Sequence, residues 1–103
     1  MRSWSDLHAA LQELMGEKVK VYFQPPENLK LGYPCVVFDR TNALIDYADN
    51  TAYQITKRYT VTLISKTADN EELLDKLLNF PMATYDRQFI TDNLVHDVFS
   101  IYY

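Results

Sequence analysis

The sequence predicts an α+β fold: two helices packed on a mostly antiparallel sheet of about five strands, with a long β-ribbon. Three observations carry that expectation. Residues 53–66 alternate, with Tyr53, Ile55, Tyr59, Val61 and Leu63 on one side and Gln54, Thr56, Arg58, Thr60, Thr62 and Lys66 on the other. Successive side chains of a strand point to opposite faces, so this is the signature of a half-buried strand. Two stretches, 4–15 and 70–79, instead space their apolar residues for a helix. The order helix, three strands, helix, two strands, with short connections, favours antiparallel pairing with the helices on one face.

The first helix spans residues 4–15. Ser3 or Ser5 can cap it, Asp6 suits the positive end of its first turn, and Gly16 is a natural stop. Trp4, Leu7, Leu11, Leu14 and Met15 make its apolar stripe. In residues 18–23, Val19, Val21 and Phe23 alternate with Lys18, Lys20 and Tyr22, a strand that Pro25-Pro26 ends. Residues 27–34 read as a loop and 35–40 as a short strand. Residues 41–52 are rich in Asn and Asp, and read as a long hairpin loop or ribbon tip. The long strand 53–66 follows.

The second helix falls within residues 67–79, with its helical core at 70–79. Thr67, Asp69 or Asn70 can cap it, and Asp69 with Glu72 has the capping-box spacing. Leu73, Leu74, Leu77 and Leu78 are its expected buried stripe. Residues 83–89 form a strand, Thr91-Asp92-Asn93 a turn, and residues 94–103 the last strand. Trp4, Leu7, Leu11, Val19, Val21, Tyr59, Val61, Leu63, Leu74, Leu77, Val98 and Phe99 are the expected core. Val98 and Phe99 cannot both face inward on a regular strand, so one of them must meet a second layer or a partner.

The 103 residues, 1–103, fit one domain. Hydrophobic content of 48% argues against a disordered chain. No apolar run approaches the roughly 20 residues of a membrane span. The first residues lack the apolar stretch of a signal peptide, so synthesis inside the cell is the expectation. A net charge of −4 makes tight phosphate binding by one subunit a poor expectation, since that affinity comes from Lys and Arg.

Catalytic and metal chemistry find no pattern here. His8 and His96 are far apart in sequence and Cys35 is alone, which is not the clustered spacing of a metal site. Cys35, between Pro34 and an apolar run, reads as a small buried hydrophobe. His96 and Asp97 are neighbours on one strand and point to opposite faces, so they cannot act together. With 2 glycines the chain has no phosphate-cradling loop. Asp46 and Asp49 share a segment, but it lacks the ligand density of a calcium loop. No catalysis, cofactor or metal is expected.

Length points instead to assembly. About 14 residues at about 3.3 Å each span about 46 Å, against a radius of gyration of about 13 Å for a compact chain of this size. Such a strand overshoots its own domain. The apolar Leu44, Ile45 and Tyr47, set in a polar stretch, suit a binding surface. The 8 tyrosines suit strands and protein interfaces alike.

Several segments together resemble a known family. They are Leu31-Gly32-Tyr33-Pro34-Cys35-Val36-Val37-Phe38, Tyr47-Ala48-Asp49-Asn50 and the strand from Tyr53. Tyr85-Asp86-Arg87-Gln88-Phe89, Thr91-Asp92-Asn93-Leu94 and Phe99-Ser100-Ile101-Tyr102-Tyr103 complete the set. In this order they resemble the tail terminator (tail completion) proteins of bacteriophages with long non-contractile tails, over about residues 29–103. The resemblance implies a mixed α/β sandwich and a homohexameric ring that caps the tail tube, ends its polymerisation and forms the joint to the head. The implied partners are other copies of the chain, the major tail tube protein and the head–tail connector protein. The implied place is the tail–neck junction of the virion, with DNA passing through the lumen without specific binding and no membrane involved. Leu44, Ile45, Asp46, Tyr47, Asp49, Tyr53, Lys57, Arg58, Tyr102 and Tyr103 are the expected subunit or tube contacts. The competing readings are a head–tail joining neck adaptor and a small ligand-binding α+β module.

Overall fold

The structure, a computed structural model, describes residues 3–48, 51–67 and 70–103, with backbone alone for 42–48 and 51–56. Two helices, α1 (Trp4–Met15) and α2 (Glu71–Leu78), accompany five strands. These are β1 (Lys20–Phe23), β2 (Cys35–Ala48), β3 (Thr51–Ser65), β4 (Ala83–Thr91) and β5 (Leu94–Tyr102). They form one sheet in the order β1-β2-β3-β5-β4. Every pairing is antiparallel except β1 with β2, which is parallel because residues 24–34 carry the chain back before β2 begins. The expected α+β class, with two helices on a mostly antiparallel five-stranded sheet, is what the chain adopts.

Local chemistry explains where α1 begins and ends. Ser3 caps α1 in a complete capping box: its Oγ accepts from the Asp6 N–H, and the Asp6 carboxylate accepts from the Ser3 N–H at 3.0 Å. Gly16 closes α1 with φ of 84°, a conformation in which a side chain is strained. Asn70 stands at the N-cap of α2, but its side chain is turned to the sheet rather than to the helix. The suggested Asp69 cap lies outside the described residues.

Both helices lie on the same face of the sheet. Paired residues share a face, so the registers Val36↔Leu63, Phe38↔Val61, Val61↔Phe99 and Tyr59↔Ile101 define the covered side. These residues form one cluster with Leu7, Leu11 and Met15 of α1 and Leu77 of α2. Val98 and Phe99 are both buried. Phe99 faces the helices, whereas Val98 pairs with Thr62 and Arg87 on the opposite face.

The structure corrects several expectations. Trp4 is 42% exposed; it stacks flat on Phe23 at 4.4 Å, which covers one side of the indole only. Leu78 is exposed and Leu73 and Leu74 are only partly buried, because α2 is short and offers the sheet little more than Leu77. Of the two readings of residues 41–52, the ribbon holds and the loop does not: among the described residues β2 runs on to Ala48, well past the expected short strand 35–40, and β3 begins at Thr51. Ladder bonds to a long partner strand outweigh the poor strand propensity of Asn and Asp.

Leu77 is fully buried. Leu77→Ala is expected to cost about 2–5 kcal/mol in urea unfolding. A loss under about half a kcal/mol would show that α2 is not seated on the core.

Cys35 is also fully buried, and burial pushes its thiol from 9.0 up to about 11. Iodoacetamide at pH 8 is expected to label it slowly in the native protein and fully in denaturant. The unfolded chain loses this proton at lower pH than the folded one. Stability should therefore fall as pH rises through about 9 to 11, with no contribution from this thiol below that range. A Cys35→Ser variant that keeps the same alkaline slope would contradict the assignment.

Candidate functional site

The β2–β3 ribbon reaches far beyond the rest of the sheet. β1 pairs with β2 only over residues 35–38, and β5 pairs with β3 only over residues 58–65. Residues 44–48 and 51–56 therefore find their strand partners only in each other. A register shift between Arg40 and Asn42 marks the point where the ribbon leaves the sheet. Bulges of this kind bend a strand and strengthen its twist. The molecule measures 51 × 29 × 25 Å, and β3 with 15 residues nearly matches the long dimension at about 3.3 Å per residue.

The expected contact residues divide between the ribbon and its root. Leu44, Ile45, Asp46, Tyr47 and Tyr53 belong to the ribbon strands: Ile45 pairs with Ile55 and Asp46 with Gln54. Their side chains, and Asp49 altogether, lie outside the described residues. Lys57, Arg58, Tyr102 and Tyr103 come together at the root. Lys57 and Tyr103 exchange backbone bonds of 3.2 and 2.9 Å, and Arg58 pairs with Tyr102. The Arg58 Nη2 donates to Ser100 Oγ at 2.9 Å, and Ser100 Oγ donates to Asp86 Oδ2 at 2.6 Å. This chain of bonds crosses β3, β5 and β4 on the face away from the helices. The Tyr103 ring packs near Phe80, 6.5 Å between centroids. The Arg40 side of this root also meets Tyr59, whose phenol burial pushes up and the Arg40 guanidinium partly pulls back.

The sheet's two outer edges differ. Along β1, α1 supplies the missing strand. Gln12 Nε2 donates to Val19 O at 2.9 Å, Gln12 Oε1 accepts from the Val21 N–H at 3.1 Å, and His8 Nε2 lies 2.8 Å from Val21 O. The amide of Gln12 mimics a neighbouring backbone, so this edge is closed. Along β4 the edge is open and eight of nine residues are exposed. Ile90 is 69% exposed and Phe89 38%.

Between β4 and α2, Asp97 is fully buried and accepts three bonds. Asn70 Nδ2 donates at 3.0 Å, Tyr85 OH at 2.9 Å and Gln88 Nε2 at 2.9 Å. The three donors account for the charge in the core and tie α2, β4 and β5 together. Burial pushes the Tyr85 phenol up, and its bond to Asp97 acts in the same direction.

Catalytic geometry is not assembled around either histidine. His96 stacks on Phe89 at 4.6 Å, on the face opposite to Asp97, and His8 holds the β1 edge. Among the described residues no three His, Cys, Asp or Glu side chains cluster as metal ligands, and no helix is long and apolar enough to cross a membrane. A cleft of about 740 Å³ lies between the end of α1 and the start of α2, lined in part by Lys18, Tyr33, Lys66, Glu72 and Lys76. Compared with protein-family models and with curated proteins, the chain finds no match in either.

Proposed function

We propose that the chain is a structural subunit that assembles into a ring, and that its place is the end of a long non-contractile phage tail. There it caps the tube, stops tube growth and joins the head connector. The observation that supports this reading is the ribbon. A closed ring needs two different surfaces on each subunit that fit one another head to tail. A ribbon that outruns its own sheet has unsatisfied strand edges on both flanks and the length to reach a neighbour. Lys57, Arg58, Tyr102 and Tyr103 stand at its root, where a neighbouring subunit or the tube would meet the sheet. Asp46 and Asp49 would make the ribbon tip acidic, and an acidic lumen wall repels DNA and lets it slide.

The resemblance in residues 29–103 supplies the tail-end identity. A neck adaptor would use the same ribbon. The lysine-lined cleft beside α2 favours the third reading, a small ligand-binding module. Disrupting the gene in an infecting phage separates them. Electron microscopy should show filled heads beside overlong, unjoined tubes. Tubes of normal length with heads detached would assign the chain to the adaptor, and normal virions would remove it from the tail altogether.

A further inference from the structure

The open edge of β4 has an arrangement that selects its own occupant. Strand edges are ordinarily blunted by Lys, Pro, inward charges or bulges. β4 has one irregularity, between Tyr85 and Arg87, and beyond it the stretch Arg87-Gln88-Phe89-Ile90-Thr91 is regular. That stretch carries no Lys, Pro or acidic residue and displays Phe89 and Ile90 to solvent.

The turn beyond it sets which backbone groups are free. Asp92 and Asn93 have φ of 52° and 60°, the geometry of a two-residue type I′ hairpin. Thr91 and Leu94 close that turn and pair directly, which makes them a hydrogen-bonded pair. Bonding alternates along an antiparallel ladder, so Thr91, Phe89 and Arg87 bond inward to β5. The N–H and C=O groups of Gln88 and Ile90 then point out of the sheet.

We infer that β4 pairs antiparallel with β4 of a second copy about a two-fold axis at Phe89, joining two sheets into one of ten strands. This register exchanges two bonds between Gln88 and Ile90 of the second copy and two more by symmetry, using all four free groups. Phe89 meets its own counterpart as a non-hydrogen-bonded pair, the kind in which opposed side chains lie closest. Each Phe89 already rests on His96 and under Arg87, whose guanidinium carbon lies 5.5 Å from the ring centre, so the axis gathers an aromatic stack. Arg87 falls opposite Thr91 of the second copy and next to its Asp92, so charges of opposite sign adjoin. The β1 edge cannot accept β4, because Gln12 and His8 occupy it.

The contact is independent of the ring reading, and its test separates the two. Light scattering on the full chain at about 1 mM should give twice the 12.1 kDa of one chain, falling to the single-chain mass on dilution, as a small interface requires. Phe89→Lys sets two cations against each other at the axis and should return the protein to monomer with an unchanged circular dichroism spectrum. In a Cys35→Ser background, Phe89→Cys should oxidise to a covalent dimer at least tenfold faster than Thr84→Cys, which is also exposed but lies outside the paired stretch. Removing residues 43–50 should leave the dimer intact. Several results would overturn the inference. A wild-type monomer at about 1 mM would leave the edge to a strand of a different protein. A dimer or larger ring that survives Phe89→Lys would place self-association elsewhere. Equal oxidation of the two cysteine variants would remove the register. Loss of the dimer without residues 43–50 would make the ribbon of the neighbouring copy the occupant of β4.

Discussion

Asp97→Ala should be the most damaging single substitution in the sheet, lowering stability by about 3 kcal/mol or more in urea unfolding. Asp97 has no exposed surface, and its two oxygens receive Asn70, Tyr85 and Gln88. Bonds to a charged group are worth about 1.5–3 kcal/mol each, and an unsatisfied buried donor costs about 1–3 kcal/mol. The donors differ in what they can do once the carboxylate is gone. Gln88 is exposed and Tyr85 is 39% exposed, so both can turn to water. Asn70 is 8% exposed and would keep only its bond to Ser65 Oγ. Asp97→Asn should cost roughly half as much. It keeps the shape, but its one oxygen can serve Tyr85 and Gln88 only by turning its NH₂ against Asn70. The same loss should loosen β4 and the start of α2 first, seen as faster amide exchange there than in β3. A change under about 1 kcal/mol for Asp97→Ala would mean that the carboxylate contributes little beyond offsetting its own desolvation.

The parts of this fold that were legible in the sequence are those decided by local periodicity and by caps. Ser3, Asp6 and Gly16 mark α1, and the alternation through Tyr59, Val61 and Leu63 marks the covered face of β3. What escaped depends on pairing between distant segments. Residues 41–48 look like a loop because Asn and Asp disfavour strands, until β3 lies beside them and completes their bonds. Asp97 stands out as a charge among Val95, Val98 and Phe99, but its donors come from residues 70, 85 and 88. Gln12 looks like any polar residue on a helix, and only the fold sets its amide against Val19 and Val21. The meeting of Lys57 and Arg58 with Tyr102 and Tyr103 follows from β5 lying between β3 and β4. The sequence, read alone, names these residues as expected contacts without showing that they adjoin.

Removing residues 43–50 is expected to leave a folded domain that no longer assembles. Beyond Ala43 and Lys57 the ribbon strands pair only with each other, and the main core cluster draws its residues from Leu7 to Phe38 and from Tyr59 onward. The shortened chain would join Asn42 to Thr51 and let residues 51–57 return to Arg58 as a surface loop, the kind of change loop tips tolerate. The bonds between Lys57 and Tyr103 and between Arg58 and Ser100 would bound that loop from the sheet side. The unfolding free energy should stay within about 1 kcal/mol of the parent, a shift of about 4–8 °C in midpoint at most. Assembly should be lost outright, because the ribbon is the surface that reaches past the subunit's own sheet. In a phage carrying the deletion, electron microscopy should find overlong tails or tails that fail to join heads. Virions with tails of normal length would refute the ribbon as the ring contact, and with it the main physical support for the terminator reading. An unfolded deletion variant would show instead that residues 43–50 belong to the folding unit, and Ile45→Asp with Tyr47→Asp in the full chain would then carry the test, again with loss of assembly as the expected result.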